Sequence, residues 1–484
     1  MTDRNTAGAA AAPGGTGGRA PVRRGRRWIE HWDPEDEAFW RETGRRTARR
    51  NLAVSVLTEH LGFAVWSLWS VLVLFLGPAY GIDAAGKFGL VAVATLAGAV
   101  LRVPYTVAAA RFGGRDRTVA GALLLVVPAA AAALVVARPG APYGAFLAAA
   151  ALTGAGGGSF ASSMANVNAF YPQRRKGWAL GLNAGGGNLG VPAVQLLGLL
   201  VLGTAGSGHP WLVPAGYLPL AVLAAVLAAR RMDNLGPVRH GTGAVAEAAR
   251  DRHTWLLALL YLGTFGSFIG YSFAFGLVLQ YQFARTPLQA AALTFAGPLL
   301  GSLARPAGGW LADRYGGARV ALGAFAALGA ATGVVLAASG LRSLPLFLAG
   351  FTALFVVSGA GNGATYKMIP AVFRVRAARR GLSGAAATAS ARRLAGAAMG
   401  LIGAVGALGG LGVDLAFREA FAATGSGVPA FAAFLVCYAV CGAVTRCVYL
   451  RRPVRGGPAP EPDGAARRPV AADVWKPHTG RHVL

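Results

Sequence analysis

From Asn51 to Leu450 the chain is a series of apolar runs, each near the ~20 residues that a helix needs to cross a bilayer, separated by short polar gaps. Roughly, the runs fall at 52–76, 86–110, 118–137, 144–170, 177–203, 211–229, 254–282, 288–312, 319–338, 344–373, 383–413 and 429–450. Backbone in hydrocarbon must satisfy its own hydrogen bonds, so these runs predict twelve transmembrane helices and an all-α membrane protein. The length of 484 residues exceeds one soluble core, a limit that a helical bundle in lipid does not share. Only 13% of residues are charged, against about 25% in soluble proteins. Glycine, at 70 residues, is about twice its ordinary share and has no Gly-X-Y period, which suits close helix packing in a membrane.

The formal charge of +27 raises the possibility of nucleic acid, and its distribution rejects it. Basic knots occupy alternate gaps: Arg41, Arg45, Arg46, Arg49 and Arg50; Arg111, Arg115 and Arg117; Arg174, Arg175 and Lys176; Arg230, Arg231, Arg239, Arg250 and Arg252. The alternation continues with Arg314 and Arg319, then Arg374, Arg376, Arg379 and Arg380, then Arg446, Arg451 and Arg452. The intervening gaps hold few charges. Basic loops stay in the cytoplasm, so both termini are expected there, in a multi-pass protein of the cytoplasmic membrane.

The expected organisation is a cytoplasmic segment at 1–50, a six-helix half at 51–229, a cytoplasmic loop at 230–253, a second six-helix half at 254–450 and a disordered tail at 451–484. Roughly the first 20 residues, rich in Ala, Gly, Pro and Thr, are expected to be disordered. No cleavable signal peptide is visible ahead of the first run. Cys437, Cys441 and Cys447 sit in the last run without companion ligands, which predicts neither a disulfide framework nor a metal site, and no cofactor motif is present.

The halves repeat. RVPYTVAAARFGG, from Arg102, and RPAGGWLADRYGG, from Arg305, each place an arginine eleven residues before a Gly-Gly pair, on the second helix of a half. Two such pseudo-symmetric halves make the major facilitator arrangement. GWLADRYGGAR resembles that superfamily's loop motif, in which Asp313 and Arg314 latch neighbouring helix ends; RFGGRDR is a looser copy.

An arginine at the centre of a membrane helix costs at least ~2.5–3.5 kcal/mol. Arg102 lies about ten residues, or ~15 Å, inside its span, and Arg305 lies at a comparable depth. Symmetry brings both to one central cavity, where two cations repel unless an anion separates them. Guanidinium donates in a planar fork that suits a flat oxyanion. Asp313 falls in a loop, and Asp414 and Glu419 are expected at the outer edge, so the cavity is expected to be net positive. In NAFYPQRRKGWALGLNAGGGNLG the glycines permit close helix approach, while Asn183 and Asn188 offer neutral donors and acceptors. GAAMGLIGAVGALGG mirrors this stretch in span eleven.

The runs GGGSFASSMANVNAFYP, KGWALGLNAGGGNLGV, LRVPY, YLGTFGSFIGYSFAF and GNGATYKMIPAVFR, together with HWDPEDEAFW, resemble the NarK-type nitrate/nitrite porters, over nearly the whole chain beyond residue 30. The resemblance implies that Arg102 and Arg305 bind the anion, that Tyr261 and Phe265 line the site, that Phe63 and Phe160 sandwich the flat ion, and that Asn183 and Asn188 belong to the glycine-rich motif. Lys367 departs from the family, which has a neutral polar residue there; it either snorkels to the cytoplasm or adds to the anion path. Glu59, one turn before Phe63, is either a proton carrier or an ion-paired group at the cytoplasmic mouth.

The implied activity is nitrate and nitrite transport by alternating access, as nitrate/nitrite antiport or proton–nitrate symport. Transport of another small anion and a non-transporting nitrate sensor are the alternatives. No catalytic cluster points to an enzyme. The implied partners are nitrate, nitrite and the lipid bilayer, with protons added in the symport reading, and no nucleic acid.

Overall fold

The computed structural model describes residues 23–24, 27–236 and 242–450. The expected disorder in roughly the first 20 residues and in the tail at 451–484 lies outside the described residues.

Twelve helices are long and apolar enough to cross a membrane. Those of the first half are Glu37–Phe75, Ala84–Ala109, Gly114–Val136, Tyr143–Phe170, Arg174–Thr204 and Leu212–Arg231. Those of the second are Arg252–Phe283, Pro287–Tyr315, Gly317–Gly340, Leu344–Arg379, Ala386–Thr424 and Val428–Leu450. We call them spans one to twelve. Span one starts earlier than expected. Asp36 caps it, accepting from the Ala38 and Phe39 amides, so part of the segment before residue 51 is already helical.

The repeat read from the arginines extends to the backbone. The helix carrying span two ends at Gly113 with φ 89°, and span eight ends at Gly316 with φ 88°. Both angles lie in the region that side chains disfavour, so the matching glycines set two matching corners. Each second span also crosses the fourth span of its own half at glycine. A Cβ on Gly154 would sit 2.6 Å from the Gly98 nitrogen, and one on Gly359 would sit 2.0 Å from the Gly301 oxygen. Backbones this close replace the hydrophobic driving force that lipid does not supply between helices.

The 230–253 linker is not a plain loop. Trp28–Ile29 pairs antiparallel with Arg23–Arg24 and in parallel with Asn234–Leu235, forming a small sheet that ties the N-terminal segment to the linker. Asn51 accepts from the Asp233 amide at 2.8 Å and donates to its carboxylate at 3.1 Å. A helix at Thr242–Ala249 follows, where the Glu247 carboxylate takes Arg380 of the second half at 2.6 Å and also pairs with Arg393. Those hydrogen bonds hold the Glu247 carboxyl below its ordinary pKa.

Gly308 makes the close-packing argument testable. A Cβ there would lie 1.9 Å from the Ala360 oxygen, whereas its neighbour Gly309 faces open space. Overpacking costs about 1–3 kcal/mol. Gly308→Ala is expected to lower the thermal midpoint of the detergent-solubilised protein, and Gly309→Ala to leave it within error.

Candidate anion site

Arg102 and Arg305 are 0% and 1% exposed, and they converge on the same two rings. The Arg102 Cζ lies 4.9 Å from the Phe160 centroid and 4.8 Å from that of Phe265. The Arg305 Cζ lies 5.5 and 5.7 Å from the same centroids. The sequence places these four residues on spans two, eight, four and seven, so each half contributes one arginine and one phenylalanine.

Neutral groups hold each guanidinium in place. Arg102 donates from Nη1 to the Gly403 oxygen at 2.7 Å and from Nε to the Gly157 oxygen at 3.2 Å. Arg305 donates from Nη2 to the Tyr261 hydroxyl at 2.9 Å. Arg102 Nη2 and Arg305 Nη1 have no hydrogen-bond partner among the described residues. Buried charged donors without acceptors are costly, and an oxyanion would satisfy both.

The aromatic walls differ from expectation. Phe63 meets Phe160 edge-on at 81°, so these two do not form a parallel sandwich. The parallel rings are Phe160 and Phe265, at 14° and 5.8 Å, with Tyr261 stacked on Phe265 at 2° and 5.0 Å. Local backbone explains the second pair. Leu262–Gly266 is a π-helical turn, which follows directly on Tyr261 and holds Phe265, and such bulges often accompany functional sites. Gly406 of span eleven makes room: a Cβ there would lie 2.3 Å from the Tyr261 ring.

Asn183 donates to the Ser163 hydroxyl at 2.7 Å, leaving its carbonyl oxygen unpartnered. Neither amide atom of Asn188 has a partner among the described residues. Both asparagines are fully buried. Glu59 is 1% exposed rather than at an open mouth, and its Oε2 has no hydrogen-bond partner among the described residues. Gly187 packs against it, and Ser159 and Ser163 flank its carboxyl. Lys367 pairs with Asp313, which draws it into the loop latch and away from the central rings. Asp414, expected at the outer edge, is fully buried between the halves.

Three residues were missed. Trp66 and Tyr366 complete the ring box: the Arg102 Cζ lies 5.2 Å from Trp66, and the Arg305 Cζ 5.9 Å from Tyr366. The Tyr366 hydroxyl and both amide atoms of Asn362 are buried without hydrogen-bond partners among the described residues. For Asn362 and Tyr366 a signal was available, since GAGNG in span ten parallels GAGGG in span four, and each is followed within three residues by an aromatic ring; nothing comparable marks Trp66.

The box is sealed at the end away from the basic loops. There Gln195 donates to the Ser272 oxygen at 3.0 Å, Trp66 packs on Phe273, and Phe88 stacks on Phe417 and Phe421. The basic end instead holds a cavity of about 320 Å³ between the halves, lined by Lys176, Arg374, Arg392, Asn168, Thr388 and Glu35.

Twelve spans in two matching halves, with an inward-facing arginine on the second span of each, have the architecture of a membrane transporter. The family described as Major Facilitator Superfamily matches residues 60–412. The chain is 38% identical to "Nitrate/nitrite transporter NarU" of Salmonella typhimurium over 88% of its own length and 96% of that protein. It is 36% identical to NarU of Escherichia coli over the same shares. It is 34% identical to "Probable nitrate/nitrite antiporter NarK2" of Thermus thermophilus over 75% of this chain and 87% of that one. The chain belongs to the NarU/NarK family of the Major Facilitator Superfamily. Among solved structures, a D-xylose–proton symporter shares the fold with TM-score 0.61 and 14% identity, covering 82% of this chain and 97% of its own. The human organic anion transporter MFSD10 shares it with TM-score 0.57 and 17% identity over 82% and 99%.

Tyr261→Phe removes the one hydroxyl that holds Arg305. Hydrogen bonds to charged groups contribute about 1.5–3 kcal/mol. The thermal stabilisation that added nitrate gives the purified protein is expected to need roughly tenfold more anion in this variant.

Proposed function

We propose that the chain carries nitrate and nitrite across the cytoplasmic membrane by alternating access, with its basic loops and both termini in the cytoplasm. The observation that carries this reading is the pair of unsatisfied guanidinium groups on one aromatic box. Each half supplies one charge. Without an anion the two repel, and closure around the empty box is opposed. A flat anion beside the stacked rings accepts from both forks, and the halves close on it. The box favours planar guests because it is walled by flat rings and by two planar guanidinium groups held 4.8–5.7 Å from the Phe160 and Phe265 centroids. Positive charge in the 320 Å³ vestibule raises the local anion concentration at the cytoplasmic mouth.

This electrostatic rule yields exchange. A carrier that turns over only when loaded brings one anion in for each anion taken out, and the family relatives named as antiporters support that reading. A second reading rests on Glu59, a buried carboxyl one turn from Phe63: proton–nitrate symport, with Glu59 holding the proton.

Uptake of labelled nitrate into proteoliposomes separates the two. Exchange predicts uptake that requires internal nitrite and ignores an imposed proton gradient. Symport predicts uptake into empty vesicles driven by the gradient and lost in Glu59→Gln. Arg102→Lys keeps the charge and removes the fork, so it is expected to lower nitrate affinity by at least about tenfold; affinity equal to wild type would remove Arg102 from the site.

A further inference from the structure

We infer that Asp414 is a proton-binding site built across the seam between the halves, and that the end of the molecule away from the basic loops closes only when a proton from the solution on that side occupies it. The inference rests on the alternating-access reading above.

The argument starts from one hydrogen atom. Thr95 Oγ1 of span two lies 2.9 Å from the Val91 oxygen and 2.9 Å from Asp414 Oδ2 of span eleven. A hydroxyl has a single proton, and a backbone carbonyl can only accept. When Thr95 gives its proton to Val91, the contact with Asp414 is a hydrogen bond only if the aspartic acid donates. The other oxygen, Oδ1, has no partner among the described residues. A carboxylate would leave lone pairs bare in a fully buried position, whereas a carboxylic acid places its hydrogen on Thr95.

The side chain that hydrogen-bonds the carboxyl is neutral Thr95. Along span eleven the flanking charges are Arg418 and Glu419, one turn towards the opposite end, and they pair with each other at 3.8 Å. Span seven presents Ile269 and Gly270 at this level, with Gly270 packed on Val413. The nearest titratable groups of spans seven and twelve, Tyr271 and Tyr438, hydrogen-bond to each other at 2.6 Å. Along span two the flanking charges are Arg102, about two turns towards the anion site, and Lys87, about two turns towards the opposite end. One to two turns beyond Asp414 along span eleven, Phe417 and Phe421 stack on Phe88 of span two and join the halves on that side.

Asp414 therefore occupies the seam that must part when this end opens. With the seam open, water reaches the carboxyl and it ionises. With the seam shut, a bare charge there is costly because it lies away from water at membrane depth, so closure takes up one proton and reopening returns it to the same side. The closed state gains population as the pH on that side falls. This proton is distinct from one that Glu59 would carry, because Asp414 communicates with the opposite end of the molecule.

The test is nitrate/nitrite exchange in oriented proteoliposomes, with pH varied only on the side away from the basic loops. Wild type is expected to slow by roughly tenfold as that pH rises from acid to alkaline. Asp414→Asn, whose amide can donate to Thr95 at every pH, is expected to exchange at the acid rate throughout. A flat wild-type profile, or the same slowing in Asp414→Asn, overturns the inference. Infrared spectroscopy gives a second readout that needs no flux: a protonated-carboxyl band in the wild type at neutral pH, absent in Asp414→Asn. A wild type without that difference band overturns the inference even if the variant folds poorly. Absence of any nitrate/nitrite exchange by the wild type, with the band present, counts against the transport reading and leaves the proton site standing.

Discussion

Two guanidinium groups buried against the same pair of rings set the terms for the rest of the molecule. Each is far from water, and each keeps one nitrogen without a protein acceptor. The cost is carried by backbone oxygens, a tyrosine hydroxyl and ring faces. None of these neutralises the charge, and a carboxylate in their place would. A carboxylate would also cancel the attraction for an anion. The protein therefore stabilises its arginines with dipoles and quadrupoles, which leave the charge available.

That choice explains the glycine content better than packing alone. Gly403 offers its carbonyl to Arg102, Gly406 gives Tyr261 the room to stack, and Gly409 packs against the π-helical turn of span seven. In span five, Gly187 lies against Glu59 and Phe63, while Gly185 faces the backbone of span eight across the seam. Side chains at Gly406 and Gly409 would overlap span seven and spread the box. These glycines of span eleven thus set the position of the rings as well as the distance between two helices.

The spans, the alternating basic loops and the matching arginines were legible because each depends on local composition or on a repeat. The two helical corners at Gly113 and Gly316 lay in the repeat itself. What was not legible depends on rotation about helix axes. Phe63 and Phe160 lie on facing helices, and no spacing rule fixes the angle at which their rings meet. Phe265 replaced Phe63 as the parallel partner of Phe160 through a π-helical turn, which shifts register by one residue and leaves no mark in hydrophobic periodicity. Asp414 was misplaced for a related reason. Counting residues put it near a helix end, but span eleven runs ten residues further, to Thr424, and that added length draws the carboxyl into the bundle.

The two buried carboxyls divide the molecule unequally. Glu59 lies on the first half alone, flanked by its own half's serines and glycine, so its surroundings change little when the halves rock as rigid bodies. Asp414 reaches across to Thr95, so its environment is made and unmade by the rocking itself. A titratable group buried within one half can follow the anion, whereas one that bridges both halves reports which end is closed. On the proposed cycle the arginines decide whether the carrier turns, and the seam aspartate decides how readily one of its two ends shuts.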